Sequence, residues 1–222
     1  MTPITSILFD LDGTLLDTAP DMANTLNLLR AKHQLPPLPL STLRPHVAHG
    51  ARALIKAGLN VEQTDEQYPT VLEEYLTLYH QHLTENTTPF PQIEKVLDYI
   101  ESYRLPWGIV TNKPGRFTID LMKHLELNDR PACMVYGDSL KNRKPDPDQI
   151  IHACDILKVS PSHCLYIGDT QTDVIASKAA GTLSLVALYG YIHDHENPYQ
   201  WGADGYVKEP IDIISWISNR LT

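Results

Sequence analysis

Two aspartates one residue apart, Asp10 and Asp12, close an apolar run, and Gly13 and Thr14 follow them. The run Ile7-Leu8-Phe9 reads as a buried strand. Alternate side chains of an extended chain share a face, so both carboxyls can point into one crevice. Carboxylates that close repel unless a cation or a shared proton intervenes. A Mg²⁺ ion would relieve the repulsion, because hard cations take oxygen ligands and often join one or two carboxylates to a substrate phosphate. An ordinary strand-to-turn corner would use the same residues, since Asp-Gly is common turn chemistry.

Three further segments carry suitable side chains. In GIVTNKP (108–114), Thr111 and Asn112 sit where a strand opens toward a helix. A hydroxyl and free backbone N–H groups there can hold phosphoryl oxygens, although both residue types also cap helices. In LYIGDTQTD (165–173), Asp169 and Asp173 follow Gly168. Asp169 would complete a three-point oxygen cage with the Asp10 carboxylate and a backbone carbonyl near Asp12, with helix N-capping as the alternative. In NRKPDPDQI (142–150), Lys144 precedes Pro145, which biases it away from helix. That lysine could neutralise both a nucleophilic carboxylate and an incoming phosphate, or be an ordinary solvated lysine. Each segment falls at a strand end or in an adjoining loop, which strengthens the set.

These segments need elements to hold them. Pro20 suits a first helical turn, and Met22, Leu26 and Leu29 follow at helical spacing until Pro36, Pro37 and Pro39 make a stiff turn. Residues 51–57 read as a short helix stopped by Gly58, and Tyr68, Val71, Leu72, Tyr75, Leu78 and Tyr79 as the packing stripe of a longer one. From that proline turn to about residue 85 no strand is expected. From Pro91 the pattern alternates: strands over 107–110, 132–136, 164–167 and 183–188, with helices between them and a last helix over 211–221. This implies an α/β fold, a doubly wound parallel sheet covered by helices on both faces, with a small all-helical domain inserted after the first strand. The expected division is 1–17 and 91–222 for the sheet domain and 18–90 for the insertion. Ligands of such sheets bind at the carboxyl ends of strands, near a switch in strand order.

At 222 residues and 25.0 kDa, with 42% hydrophobic and 20% charged residues, the chain is expected to fold as one large globular domain or one domain with an insertion. Eighteen basic against 27 acidic side chains give a net charge of −9, which disfavours nucleic acid as a partner. No stretch has the length of a membrane span, and no leader is expected because the first strand begins almost at Met1. Three cysteines without C-x-x-C spacing indicate neither a disulfide framework nor a thiolate zinc site, so a reducing cytoplasm fits. The histidines at 80 and 82 lie at i and i+2 of a helical pattern and face different directions, and those at 193 and 195 lie in a polar loop without a nearby third ligand, so no histidine metal site is expected.

Taken together, D-x-D-G-T at 10–14, the apolar strand ending in Thr111, Lys144, and G-D-x-x-x-D at 168–173 resemble the four motifs of the haloacid dehalogenase superfamily of aspartate-nucleophile phosphatases. The likeness covers essentially the whole chain, and the helical insertion resembles that family's smaller cap. VTNKP and KPDP resemble phosphoglycolate phosphatases. GARAL at 50–54, WGIVTNKPGRF at 107–117 and YGYIHDHENPYQWGAD at 189–204 look closer still to N-acetylmuramic acid 6-phosphate phosphatases, which act in bacterial cell-wall recycling. One departure bears on the hinge: relatives often have Pro-Tyr-Pro-Gly where the cap rejoins the core, and this chain has Pro89-Phe90-Pro91-Gln92.

The resemblance implies a Mg²⁺-dependent phosphatase acting on a small phosphorylated metabolite. Asp10 would attack phosphorus and form an aspartyl-phosphate, with Asp12 as general acid and then base. Thr111 and Lys144 would stabilise the transferring group, Asp10, Asp12 and Asp169 would hold the metal, and Asp173 would support its shell. Thr14 and Asn112 are expected at the substrate. Arg52, at a helix start in a cap that closes over the core, is the candidate for a substrate carboxylate or phosphate. Two competing expectations are a phosphosugar mutase of the same superfamily and a non-catalytic phosphate-binding regulator on the same scaffold.

Overall fold

The apolar run near the N-terminus forms β1 (Ser6–Phe9), all four residues of which are buried. Unbroken burial, in place of alternation, marks a strand covered on both faces. In the computed structural model, which describes residues 3–221, the chain passes through β2 (Leu16–Asp17) into four helices. These are α1 (Ala19–Lys32), α2 (Leu40–Val47), α3 (Gly50–Leu59) and α4 (Tyr68–Gln81). The chain returns through β3 (Thr88–Pro89), which pairs with β2. Alternation follows: α5 (Ile93–Ser102), β4 (Trp107–Val110), α6 (Gly115–His124), β5 (Cys133–Val135), α7 (Asp148–Leu157), β6 (Cys164–Gly168), α8 (Gln171–Ala180), β7 (Leu183–Ala187), β8 (Gly205–Val207) and α9 (Asp212–Ser218). The chain divides into two compact units, Met1–Leu16 with Pro89–Thr222, and Asp17–Thr88.

The larger unit is built on a six-stranded sheet of order β5-β4-β1-β6-β7-β8, parallel throughout. The chain goes from β1 to β4 and β5 on one side, then returns to β6 on the other, so strand order switches at β1. Open α/β sheets bind ligands at such a point, outside the carboxyl ends of the strands. Phe9 pairs with both Ile109 and Ile167, so β1, β4 and β6 end at one level. The sheet core is closed by fully buried side chains, with Phe9 set edge-on to Trp107 at 6.0 Å. On the other flank of β1, α7 packs Ile150, Ala153 and Cys154 against Leu8, Val110 and Tyr166.

The helical unit departs from its sequence reading in two places. Gly58 does not stop α3, which runs on to Leu59 and is capped by Asn60 in the left-handed conformation. Gly58 serves packing: a Cβ there would lie 2.5 Å from Leu26 on α1. Between the proline-rich turn and α3, over residues where the sequence marks no element, lies α2, with Pro45 inside it, and burial of Leu43 and Val47 at i, i+4 offsets the lost backbone bond. The tyrosine stripe of α4 does pack: Tyr75 is fully buried, stacks on Tyr79, and donates to the Met22 carbonyl of α1 at 3.0 Å. Buried Asp21 accepts from the Thr87 N–H and the Thr87 hydroxyl, both at 2.8 Å, tying the return segment to α1. Among the described residues no helix is long and apolar enough to cross a membrane.

Candidate active site

Asp10 follows β1 directly, and its N–H donates to the Ile167 carbonyl of β6 at 2.8 Å. That bond carries the strand pairing one residue further and fixes where the Asp10 carboxylate leaves the sheet. Lys144 meets it there from the loop ahead of α7. Its ammonium lies 2.9 Å from Asp10 Oδ1, 2.8 Å from Asp173 Oδ1, 2.8 Å from the Tyr166 hydroxyl and 3.0 Å from the Val110 carbonyl. Lys144 is only 4% exposed, so the solvated-surface alternative falls away. Its backbone is held on both sides: Lys144 N–H donates to Gln149 Oε1, and its carbonyl accepts from Asn112 Nδ2 at 2.9 Å.

Asp169 stands one residue past β6. Its Oδ1 accepts from the Thr14 hydroxyl at 3.1 Å and its Oδ2 from the Tyr191 N–H at 2.8 Å. Gly13 lets the two segments approach: its φ is +87°, and a Cβ would sit 2.2 Å from Asp169 Oδ2. Asp173 opens α8 in a capping box with Thr170, its Oδ2 accepting from the Thr170 N–H at 3.0 Å. Its Oδ1 faces Lys144 and Tyr166, so both oxygens already have donors from this chain.

The structure thus brings Asp10, Thr14, Lys144, Asp169 and Asp173 into one constellation at the strand switch. Thr14, expected at the substrate, is wholly buried and bonded to Asp169. Thr111 lies buried at the end of β4, its hydroxyl accepting from the Lys113 N–H at 3.1 Å. Asn112, also expected at the substrate, directs its amide to the Lys144 carbonyl. Arg52 belongs to the helical unit, where its Nη1 lies 3.3 Å from Gln63 Oε1.

Two side chains here escaped the sequence reading. The Tyr166 hydroxyl, inside an apolar strand, touches Lys144 and Asp173. Lys113, 7% exposed, places its ammonium 2.9 and 3.3 Å from the two oxygens of Asp12. An N-K-P turn signals a solvated lysine, and nothing one-dimensional marks this one.

The local electrostatics leave charge to be met. Burial pushes Asp10 up to about 7 against the pull of Lys144, and Asp173 adds to the rise. Burial, then repulsion from Asp10 and Asp173, hold Asp169 well above the usual carboxylate range. Burial opposes the charge on Lys144, yet Asp10 and Asp173 outweigh it and raise the lysine above its ordinary value. Asp10, Asp169 and Asp173 each offer an oxygen within 4.8 Å of the others. Counting Asp12, four acidic side chains face Lys144 and Lys113, a formal excess of two negative charges. Oxygen donors and a deficit of that size fit one hard divalent cation such as Mg²⁺. Asp10 has only Oδ1 on Lys144, and the Asp169 oxygens accept one hydrogen bond each, so lone pairs remain for a metal.

Comparison with known proteins agrees with this geometry. The haloacid dehalogenase-like hydrolase family model matches residues 7–187. The chain is 38% identical over 216 residues to an N-acetylmuramic acid 6-phosphate phosphatase of Pseudomonas aeruginosa, covering 97% of this chain and 96% of that protein. It is also 38% identical to a phosphoglycolate phosphatase of Xanthomonas campestris pv. campestris, covering 92% of each. In fold it is similar to the crystal structure of a predicted phosphoglycolate phosphatase from Haemophilus somnus, with TM-score 0.86, 24% identity and coverage of 97% and 99%.

Proposed function

Given that the chain belongs to the haloacid dehalogenase-like hydrolases and is a phosphoric monoester hydrolase, we propose that it cleaves N-acetylmuramic acid 6-phosphate through an aspartyl-phosphate on Asp10. The observation that carries the chemistry is the buried Lys144 ammonium shared between Asp10 and Asp173, beside Asp169. It allows an anionic nucleophile to approach a phosphate dianion. The substrate choice rests on the relatives of that name, which match over 97% of this chain.

Asp10 attacks phosphorus, and the ester P–O bond breaks with its electron pair on the leaving oxygen. Asp12 gives that oxygen a proton. Water then adds to the aspartyl-phosphate and passes a proton to Asp12, and the bond from phosphorus to Asp10 breaks to release inorganic phosphate. Lys144, Thr111 and the N–H groups of the loop after β4 hold the equatorial oxygens while charge develops on them. Asp173 acts through Lys144, and Thr14 through Asp169. Arg52 is assigned to the substrate's carboxylate on residue type alone. When bound, Mg²⁺ would be held by Asp10, Asp169 and a backbone carbonyl at Asp12, and would supply charge neutralisation and a template for the phosphoryl group.

The test is phosphate release from N-acetylmuramic acid 6-phosphate, 2-phosphoglycolate and a panel of hexose phosphates, with Mg²⁺ and with EDTA. The expected result is highest kcat/KM on N-acetylmuramic acid 6-phosphate, lost in EDTA. A higher value on 2-phosphoglycolate would move the assignment to that ester. Isomerisation of a hexose phosphate without phosphate release would identify a mutase, and no turnover of any ester would reject the enzymatic reading.

A further inference from the structure

Lysine is among the side chains least often buried, because its ammonium gives up water at high cost. Two lysines of this site are nonetheless buried, and the reaction as written uses only Lys144. Lys113 has a fixed point of departure. Its N–H donates to the Thr111 hydroxyl at 3.1 Å, its carbonyl accepts from the Gly137 N–H at 2.9 Å, and Pro114 follows. From that anchored backbone the stem crosses to Asp12, and the ammonium meets both carboxylate oxygens, at 2.9 and 3.3 Å. Contact with both oxygens restricts rotation of the carboxylate, where a single contact would leave it free to turn.

We propose that Lys113 is a positioning residue for Asp12, holding its carboxyl group in the orientation from which it takes a proton from the water that cleaves the aspartyl-phosphate. This rests on the reading that Asp12 is the acid–base group. With a leaving group that departs without a proton, Asp12 is needed only to act on the water, so loss of its orientation falls on the second half of the reaction. In that step the water O–H bond breaks, its proton goes to Asp12, the new P–O bond forms, and the bond from phosphorus to Asp10 breaks. Lys113 itself neither gains nor loses a proton.

The two halves separate with p-nitrophenyl phosphate, whose leaving group departs without needing a proton. In rapid mixing with Mg²⁺ present, Lys113→Met is expected to release about one equivalent of p-nitrophenol per site at the wild-type rate. Its steady-state turnover is then expected to fall roughly 10- to 100-fold, the loss typical of misplaced or missing acid–base groups. Lys113→Arg, which keeps a cation, is expected to recover to within about 5-fold of wild type. Lys113→Gln serves as a second variant on the same readout should the Met variant fold poorly. Unchanged turnover in either neutral variant, or a slowed first phase without a burst, overturns the proposal. A rise in KM alone does the same, by making Lys113 a substrate contact. Asp12→Asn runs alongside: if it shows the burst and slow turnover while the Lys113 variants behave as wild type, the acid–base reading stands and the Lys113 inference fails. If Asp12→Asn itself turns over normally, the acid–base reading fails.

Discussion

Asp10, the proposed nucleophile, is where Lys144 meets the proposed cation site, and its environment predicts how it titrates. The fold raises it from 3.8 to about 7, chiefly by burial, so the folded chain binds a proton there that the unfolded chain has released. Stability from this group is therefore complete below about pH 4 and is lost as pH rises toward 7. In metal-free protein, melting temperatures of wild type and Asp10→Asn should diverge across that range. The wild type falls relative to the variant, whose amide does not titrate, and Asp10→Asn should also abolish turnover. Parallel melting curves over pH 4–7, or surviving turnover, would contradict this account of Asp10. Asp10, Lys144, Asp169 and Asp173 could be picked out in sequence because dense motifs carry them to strand ends. Lys113 and Tyr166 could not: their neighbours come from β1, β4 and the Lys144 loop, and only the folded chain brings these together.

At the scale of elements, helices with a long apolar stripe and strands with an unbroken apolar run were readable, and the shortest or proline-bearing elements were not. The stripe of α4 carries a helical period, and β1, β4 and β6 are apolar runs buried at every residue. α2 was hidden because Pro39 and Pro45 flank and interrupt a helix of only eight residues. β8 was missed because three residues, Gly205–Val207, carry no period at all. Gln92 shows a local rule broken. It holds φ +71° at the start of α5, a backbone conformation that glycine adopts without strain, and its side chain is exposed. An L-residue in the left-handed region costs about 1 kcal/mol or more. Gln92→Gly is thus expected to raise the melting temperature by about 2–4 °C, the shift about 1 kcal/mol gives a chain of this size. A lower melting temperature would mean that glycine's flexibility in the unfolded chain outweighs the relieved strain.

For the molecule as a whole, the parallel α/β architecture followed from the alternation after Pro91 alone, since each buried strand needs a covering helix. The switch in strand order at β1 was not readable, because pairing β1 with both β4 and β6 depends on contacts far apart in sequence. Net charge is also uninformative about the site: a chain of −9 still gathers Lys113 and Lys144 where an anionic ester has to be met. On the proposed mechanism, steering a dianion into an acidic protein would depend on a cation at the carboxylates, which would tie the global charge to the local one. The most direct measurement is a crystal structure grown with Mg²⁺ and fluoroberyllate, a mimic of the transferred phosphoryl group. The account predicts fluoroberyllate on an Asp10 oxygen, contacted by Lys144, with Mg²⁺ bound by Asp10 and Asp169. Fluoroberyllate seated elsewhere, or Asp10 and Asp169 without an ion between them, would contradict it.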